Sequence, residues 1–586
     1  MAAPGSSTSK SERSGQACAG LMGYAATRTL ERVAAAVGQL EQAPILFAAA
    51  HDIPQGGLLL AVPALLAMGL LRHSLEMYAL PRGYYGLSSI LLLLAMMALA
   101  RVKSIEQLRY VAPGEWGNLL GLDRIPEVRT LREKLKVLCQ EKGRAAQWNA
   151  ELAKQWMGLQ PEAEPMFYVD GHVRVYHGSQ AQLPRHYVAR QKLYLRAAVD
   201  YWINAMDGQP FFYINQEIDH GLVQALREEI VPWVEGHAAI TPEHQQRMDT
   251  DPLLPRFTVI FDREGYSPDL FEELQERRIA VLSYHRYPGE DWSRSEFQPQ
   301  TVNLANGEAV QMSLAERGTR LPRGLWIREV RKWTAAGEQI SLVSTHMRLD
   351  TGVLAAALFA RWAQENFFRY MRQHYALDRL VEFGDEDISD TEVAVNPAWR
   401  SLHREVRKQH GALKKARAQF AAASLTEPIS TPAITRFAVA QGQQQETIAE
   451  RQRQLEELKQ RRKATPHHIP VKDLPERERF TRLLPERKHF IDTIKMISYR
   501  AETSAVAILR EKMARSDDAR ALLRQIYDTE CDLIPDLSTR TLTVQLHHLT
   551  QAAHDQILRH LCDQLNETET IFPDSELRLF FKVGSS

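Results

Sequence analysis

The pattern of apolar positions changes period twice along the chain. From residue 25 to about 160 apolar residues recur at helical spacing, as in "TRTLERVAAAVGQL". Two denser runs follow: 56–71, with Pro63 at its centre, and 90–100, which ends at Arg101. Both fall short of the roughly 18–20 apolar residues a membrane-crossing helix needs, so buried helices are the expectation and no membrane partner. The stretch "KSIEQLRYVAPGEWGNLLGLDRIPEVRTLREKLKVL" (103–138) then predicts three short helices, separated by a Pro-Gly break and a Gly-Leu-Asp turn. Its last helix carries Arg129, Arg132, Lys134 and Lys136. Short helices on tight turns, the last one basic, suit a helix-turn-helix entering a DNA groove. A helical packing unit with a solvated charged face has the same pattern.

From about residue 165 the period falls to two. "PMFYVDGHVRVYHG" (165–178) reads as two extended runs around a bend, and "AVDYWINAMDGQPFFYIN" (198–215) as a hairpin on an Asp-Gly turn. An amphipathic helix over 219–234 precedes a strand, loop, helix and strand over 256–286. This order predicts an α/β layer with a mixed sheet. Residues 290–350 alternate around Asn-Gly and Ala-Gly turns, the mark of an all-β insertion, and a helix is expected over 353–375. Beyond lie an acidic linker, "EFGDEDISD" (382–390), and a polar helical arm (399–463) with fourteen Lys/Arg against six Asp/Glu. Ile448, Leu455 and Leu458 give the arm a short coiled-coil spacing. A Pro/His-rich break (465–475) leads to C-terminal helices.

The predicted organisation is therefore a disordered N-terminus (1–24), a helical N-terminal domain (25–160), an α/β domain (161–289 and 351–381) interrupted by a β insertion (290–350), a linker and basic arm (382–475), and a C-terminal helical domain (476–586). At 586 residues several domains are the natural expectation. Lys+Arg and Asp+Glu both total 72, so nucleic-acid binding would have to come from local patches. Cys18, Cys139, Cys531 and Cys562 form no CxxC pair, which argues against a zinc ribbon and for free thiols in a reducing compartment. The first twenty residues lack the apolar core of a signal peptide. His467/His468 and His547/His548 lack metal-ligand spacing with any cysteine.

Two carboxylates stand out. Asp170 directly follows the apolar run "MFYV", and Asp262 directly follows "FTVIF". If the first and fourth strands of a mixed sheet are neighbours, these acids are neighbours too, and like charges that close call for a cation. Hard oxygen donors favour Mg²⁺ or Mn²⁺ over zinc. A third acid, Glu365, sits in "RWAQENFFRYMRQ" (361–373). At about 100° per residue, Arg361, Glu365 and Arg372 share one stripe of a helix with Leu358. Interleaving with Leu358, Trp362 and Phe368 argues that this face is covered, whereas a solvated charge stripe is the plain alternative. Glu264 is an alternative ligand to Asp262. Asp200, Asp207 and Asp219 read as turn or cap residues, and His172 as a structural or assisting group. Trp362 either packs or stacks on a displaced base.

At these residues the chain resembles the DDE transposases of bacterial insertion sequences, whose catalytic fold is RNase H-like. In that family the first Asp ends strand one, the second ends strand four, and the Glu sits on a late helix. The matching positions are Asp170 in "YVDGH", Asp262 in "IFDREGYS" and Glu365 in "RWAQENFF". One large branch carries a β insertion before the Glu, and a Tyr, Arg, Glu, Lys signature around it. Arg361 and Glu365 fit that signature, Arg372 stands where Lys is usual, and Leu358 replaces the Tyr. The resemblance implies two divalent ions held by Asp170, Asp262 and Glu365. It implies hydrolytic nicking at the element's ends, then joining of the freed 3′-OH to target DNA. It further implies terminal inverted repeats as substrate, Arg361, Arg372 and Trp362 on that DNA, a synaptic homodimer, and a bacterial, nucleoid-associated cytoplasmic setting. A non-catalytic DNA-binding or scaffold protein of the same fold, or a nuclease without strand transfer, is the alternative.

Overall fold

The computed structural model describes residues 26–159, 164–178, 182–188, 191–216, 221–238, 240–304, 308–321, 324–359, 362–379, 385–386, 393–423, 430–476 and 482–584. The expected disordered N-terminus and nearly all of the acidic linker lie outside them. The chain divides into two compact units, one of residues 1–175, 198–382 and 484–586, the other of 176–197 and 383–483.

After a helix over Thr29–Ala36, the first unit includes strand β1 (Ala50–Ile53) and, beyond short helical turns, helices α1 (Leu87–Leu99), α2 (Pro113–Leu119), α3 (Val128–Leu138) and α4 (Arg144–Leu159). The apolar run around Ile90 becomes α1, buried on every side, and no helix among the described residues is long and apolar enough to cross a membrane. α3 has the amphipathic pattern its sequence predicts: Val128, Leu131, Leu135 and Leu138 are buried, and the basic positions lie between them.

The main sheet follows: β2 (Met166–Val175), β3 (Leu193–Asn204), β4 (Pro210–Gln216), β5 (Phe257–Phe261), β6 (Ile279–Tyr284), β7 (Gln298–Asn303), β8 (Ala309–Arg320), β9 (Trp326–Trp333) and β10 (Gln339–Ser344). Its order is β4-β3-β2-β5-β6-β10-β9-β8-β7, and a tenth strand, Arg185–Val188, pairs antiparallel with the first residues of β3. β2, β5 and β6 are parallel, and β10 joins β6 antiparallel. Among the described residues, 290–350 holds four strands and a short helical turn, Arg294–Glu296, and its strands extend the sheet. Helix α5 (Pro268–Glu276) links β5 to β6, with Ser267 Oγ accepting the Leu270 N–H as its cap. The helix expected over 353–375 is described as two spans, α6 (Thr351–Phe359) and α7 (Trp362–Tyr375), with 360–361 outside the described residues.

The C-terminal part corrects an expectation. It carries helices α8 (Glu486–Arg510), α9 (Ala519–Asp528) and α10 (Ala552–Asn566), but also strands β11 (Cys531–Asp536), β12 (Thr541–Leu546) and β13 (Arg578–Val583). These pair in the order β1-β11-β12-β13. "TLTVQL" and "RLFFKV" alternate for only six residues each, too short for period alone to separate strand from helix. Nor are the flanking helices separate from the sheet. One hydrophobic core runs from Ala43 to Phe581, and Tyr78, Trp148 and Phe490 pack in it at ring distances of 5.1–5.6 Å. The turn at Gly57 shows how close this packing is: a Cβ there would fall 1.7 Å from the Ile526 carbonyl oxygen, so only glycine fits.

The second unit is built on a hairpin of two helices, Pro397–Ala422 and Thr431–Ala464. Asn396 caps the first, its side chain accepting the Ala398 N–H at 2.9 Å, and Pro397 opens it. Val406, Leu413 and Leu455 are buried between the helices with Ile448 and Leu458 against them, as the coiled-coil spacing predicts. Strands Val393–Val395 and His468–Pro470 pair across the base. So small an apolar seam makes each member count. Leu455→Ala is expected to cost about 2–3 kcal/mol within the arm, seen as faster proteolytic cleavage between residues 397 and 464 with the rest of the chain still resistant.

Candidate active site

The structure changes the setting of the first aspartate: β2 runs unbroken over Met166–Val175 instead of as two runs around a bend, so Asp170 lies inside the strand and only Asp262 follows a strand end. Met166 pairs with Thr258, Phe167 with Val259 and Tyr168 with Ile260. Those are the last paired residues; continued two positions further, past the end of β5, the same register would align Asp170 with Asp262 on the same side of strands about 4.8 Å apart. Both residues are half-buried. Asp262 Oδ1 accepts the Glu264 N–H at 2.8 Å, which fixes the carboxylate's direction, and Oδ2 has no protein partner among the described residues. Its own carbonyl accepts from Ser283 Oγ at 3.1 Å, tying the end of β5 to β6. Glu264 itself is exposed.

Alternation puts Tyr168, Asp170, His172 and Arg174 on one face of β2. Helices α6 and α7 cover that face. The Tyr168 hydroxyl donates to the Ala357 carbonyl at 2.5 Å, and the Tyr284 hydroxyl to the Leu358 carbonyl at 3.1 Å. Four residues along β2, the His172 ring stacks on Phe368 of α7 at 5.1 Å, nearly parallel, and donates from Nε2 to Asp378. Asp170 lies between these two anchors. Leu358 is fully buried and Phe368 nearly so, as expected of a covered face. Glu365 is one helical turn before Phe368 on α7. The side chains of Glu365 and Trp362, and all of Arg361, lie outside the described residues. Arg372 is half-buried and donates from Nε to the Phe368 carbonyl at 3.3 Å.

Beneath this face lies a buried charge network. Arg174 and Asp200 form a two-pronged ion pair on β2 and β3, and Asn215 adds a bond to Asp200 at 2.9 Å. Both are excluded from solvent. On α8, Asp492 is held between Lys488 and Lys495, the latter at 3.1 Å. Burial, with the nearby Arg174 charge, pushes the Lys495 ammonium down to about 7. Glu502 on the same helix accepts from Arg101 at 2.7 Å, Arg520 at 3.0 Å and the hydroxyls of Tyr370 and Tyr375, both on α7. The active-site helix is thereby fastened to α8 by charge-assisted bonds.

A family model described as "Transposase protein" matches residues 23–585. The chain belongs to this transposase family. Among solved structures, a piggyBac transposase synaptic complex with hairpin DNA matches at 10% identity and a TM-score of 0.29, over 53% of this chain and 64% of that one. No curated protein matches.

The basic helix of this family member is less free than its sequence suggests. In α3 Arg129 pairs with Glu133 at 3.1 Å and Arg132 with Glu106 at 2.5 Å. Lys134 is half-buried, which lowers its affinity for a proton, and Lys136 is exposed. Sequence reasoning missed Asp200, read as a turn residue but lying inside β3, and the four charged positions of α8. The one available signal was spacing: Lys488, Asp492 and Lys495 recur every three to four residues, as solvated helices also do.

Proposed function

We propose that this chain is a DDE-type DNA transposase with an RNase H-like catalytic core, cutting the ends of its element and joining the 3′-OH ends to target DNA. The observation that supports the reading is the parallel pairing of β2 with β5, whose register, continued by two residues, aligns Asp170 within β2 with Asp262 just past β5, while the helix that holds Glu365 packs on the same face of β2 through Phe368 and His172. The strand order β4-β3-β2-β5-β6 supports it, because it makes β2 and β5, the strands that precede or hold the two aspartates, direct neighbours.

Asp170, Asp262 and Glu365 would hold the metal. A donor set of carboxylates without thiol or imidazole suits two hard ions such as Mg²⁺ or Mn²⁺. Such ions, when bound, polarise the scissile phosphate and lower the pKa of the attacking water or 3′-OH. The chain's own residues do the positioning. Asp262 is aimed by the Glu264 N–H, and the segment bearing Glu365 is held at both ends beside the face of Asp170. Arg361 and Arg372 would hold DNA phosphates, with Trp362 packed beside them or against a base. Arg129, Arg132, Lys134 and Lys136 of α3 would grip the terminal repeat, the pairs with Glu133 and Glu106 opening as phosphates replace them. The basic arm fits DNA grip and dimer contact in a synaptic homodimer. Insertion-sequence origin and a bacterial nucleoid setting complete the reading.

The test is cleavage and strand transfer on DNA bearing the element's own inverted repeats, with Mg²⁺. Wild type should nick and join. If wild type bound those ends but neither cut nor joined them, the chain would be a DNA-binding scaffold on this fold; cutting without joined product would make it a nuclease; and full activity in Asp170→Ala would remove Asp170 from the chemistry.

A further inference from the structure

On elements other than those of Asp170 and Asp262, three chain segments bring imidazoles and carboxylates together at the C-terminal sheet. Asp52 lies on β1, Asp532 on β11, and His547 directly follows β12. One donor atom from each lies within 4.8 Å of the other two. His547 Nε2 is 3.2 Å from Asp532 Oδ1 and 3.9 Å from Asp52 Oδ1. His51 Nδ1 stands 3.5 Å from the same Asp532 oxygen, and Glu530 is 3.8 Å from the other nitrogen of His547.

We propose that Asp52, Asp532 and His547, with His51 alongside, form a binding site for a divalent transition ion of the zinc class. Spacing is the first reason. A tetrahedral zinc with bonds of about 2.0–2.1 Å separates its ligand atoms by roughly 3.3 Å; the 3.2 and 3.5 Å edges lie close to it, and the 3.9 Å edge to the exposed Asp52 would have to shorten on binding. Donor chemistry is the second. Imidazole nitrogen mixed with carboxylate oxygen selects zinc-like ions, where an all-carboxylate set selects magnesium. The third is support. Asp532 is fully buried on a strand paired to β12, the Asp52 N–H donates to Asp532 Oδ1 at 3.0 Å, and the His547 N–H donates to the Glu530 carbonyl at 3.0 Å. Rigid backbone therefore presents these donors. Asp52 and His51 are mostly exposed, which leaves the ion a path from solvent. A bound ion would staple β1 to β11 and β12, joining chain segments 480 residues apart. The sequence hides the site because its ligands have no local spacing.

The experiment uses the full chain carrying Asp170→Ala and Asp262→Ala, so that the site of those two aspartates contributes no metal. Zinc content after gel filtration, zinc titration calorimetry and the visible absorption of the Co²⁺ form are read. One Zn²⁺ per chain is expected, with a tetrahedral Co²⁺ spectrum and a higher Tm in zinc. Adding His547→Gln or Asp52→Asn, both at solvent-accessible positions, should weaken zinc binding by at least about tenfold with unchanged circular dichroism. No retained zinc, or an affinity unchanged in either variant, would overturn the site and leave a hydrogen-bonded corner. Neither result bears on cleavage by the chain with Asp170 and Asp262 intact.

Discussion

Asp262→Asn is expected to lower DNA cleavage and strand transfer by at least about a thousandfold, equivalent to roughly 4 kcal/mol of transition-state stabilisation, while the melting temperature stays level or rises. The two halves of this result have different causes. Asparagine keeps the Oδ1 that accepts the Glu264 N–H, so the turn after β5 survives. It removes one of two carboxylates that the register of β2 and β5 aligns, and like charges so close oppose folding when no cation lies between them. The same change removes a hard anionic donor, which a neutral amide replaces poorly at a divalent ion. Asp170→Asn should behave alike, and Glu365→Gln should lose activity without the gain in stability. Gel assays on end-bearing DNA and thermal melts without divalent ions read the two quantities. Retained activity in a well-folded Asp262→Asn protein would sink the proposed chemistry.

That pair was half legible in the sequence. The apolar run before Asp262 marks where β5 ends, since an unpaired carboxylate is costly to bury; the same reasoning misplaced Asp170, because β2 continues to Val175 with polar residues on one face. Adjacency is a different matter. It depends on β2 pairing with β5 across the intervening hairpin and helices, which no local pattern encodes. The insertion was readable as strands from its alternation and turns, but its merging with the sheet through β10 and β6 was not. Period also fails where a helix is buried all round. In α8 the charges of Lys488, Asp492, Lys495 and Glu502 look like a solvated face, yet every one is buried: the first three pair with one another along the helix, and the partners of Glu502 come from elsewhere in the fold. Asp200 was misread for the same reason: an acid before aromatic residues resembles a turn until Arg174 is seen opposite it.

Glu502 is where that hidden chemistry should show its largest effect. Its carboxylate is fully buried and joins α8 to Arg101 after α1, to Arg520 on α9, and to Tyr370 and Tyr375 on α7. Glu502→Ala leaves two guanidinium groups, only 16% and 22% exposed, without their counter-charge. Breaking a buried pair in this way costs about 3–5 kcal/mol. Glu502→Gln keeps the shape and loses the charge, so roughly half of that loss is expected. The pH dependence follows from direction alone. Burial pushes the Glu502 carboxyl up, but Arg101, Arg520 and the tyrosine hydroxyls outweigh it and hold the group below its usual 4.5. A carboxyl depressed in the folded state stabilises above its unfolded pKa, and that stability drains away as pH falls through the folded value. Wild type should therefore lose stability on acidification below about 4.5, and Glu502→Gln should lack that part of the slope. Because Tyr370 and Tyr375 share α7 with Glu365, DNA cleavage by Glu502→Gln should also fall at temperatures where the chain is still folded. Urea denaturation across pH, paired with cleavage rates, separates the two effects. A loss under about 1 kcal/mol for Glu502→Ala would mean that this network does not hold the active-site helix in place.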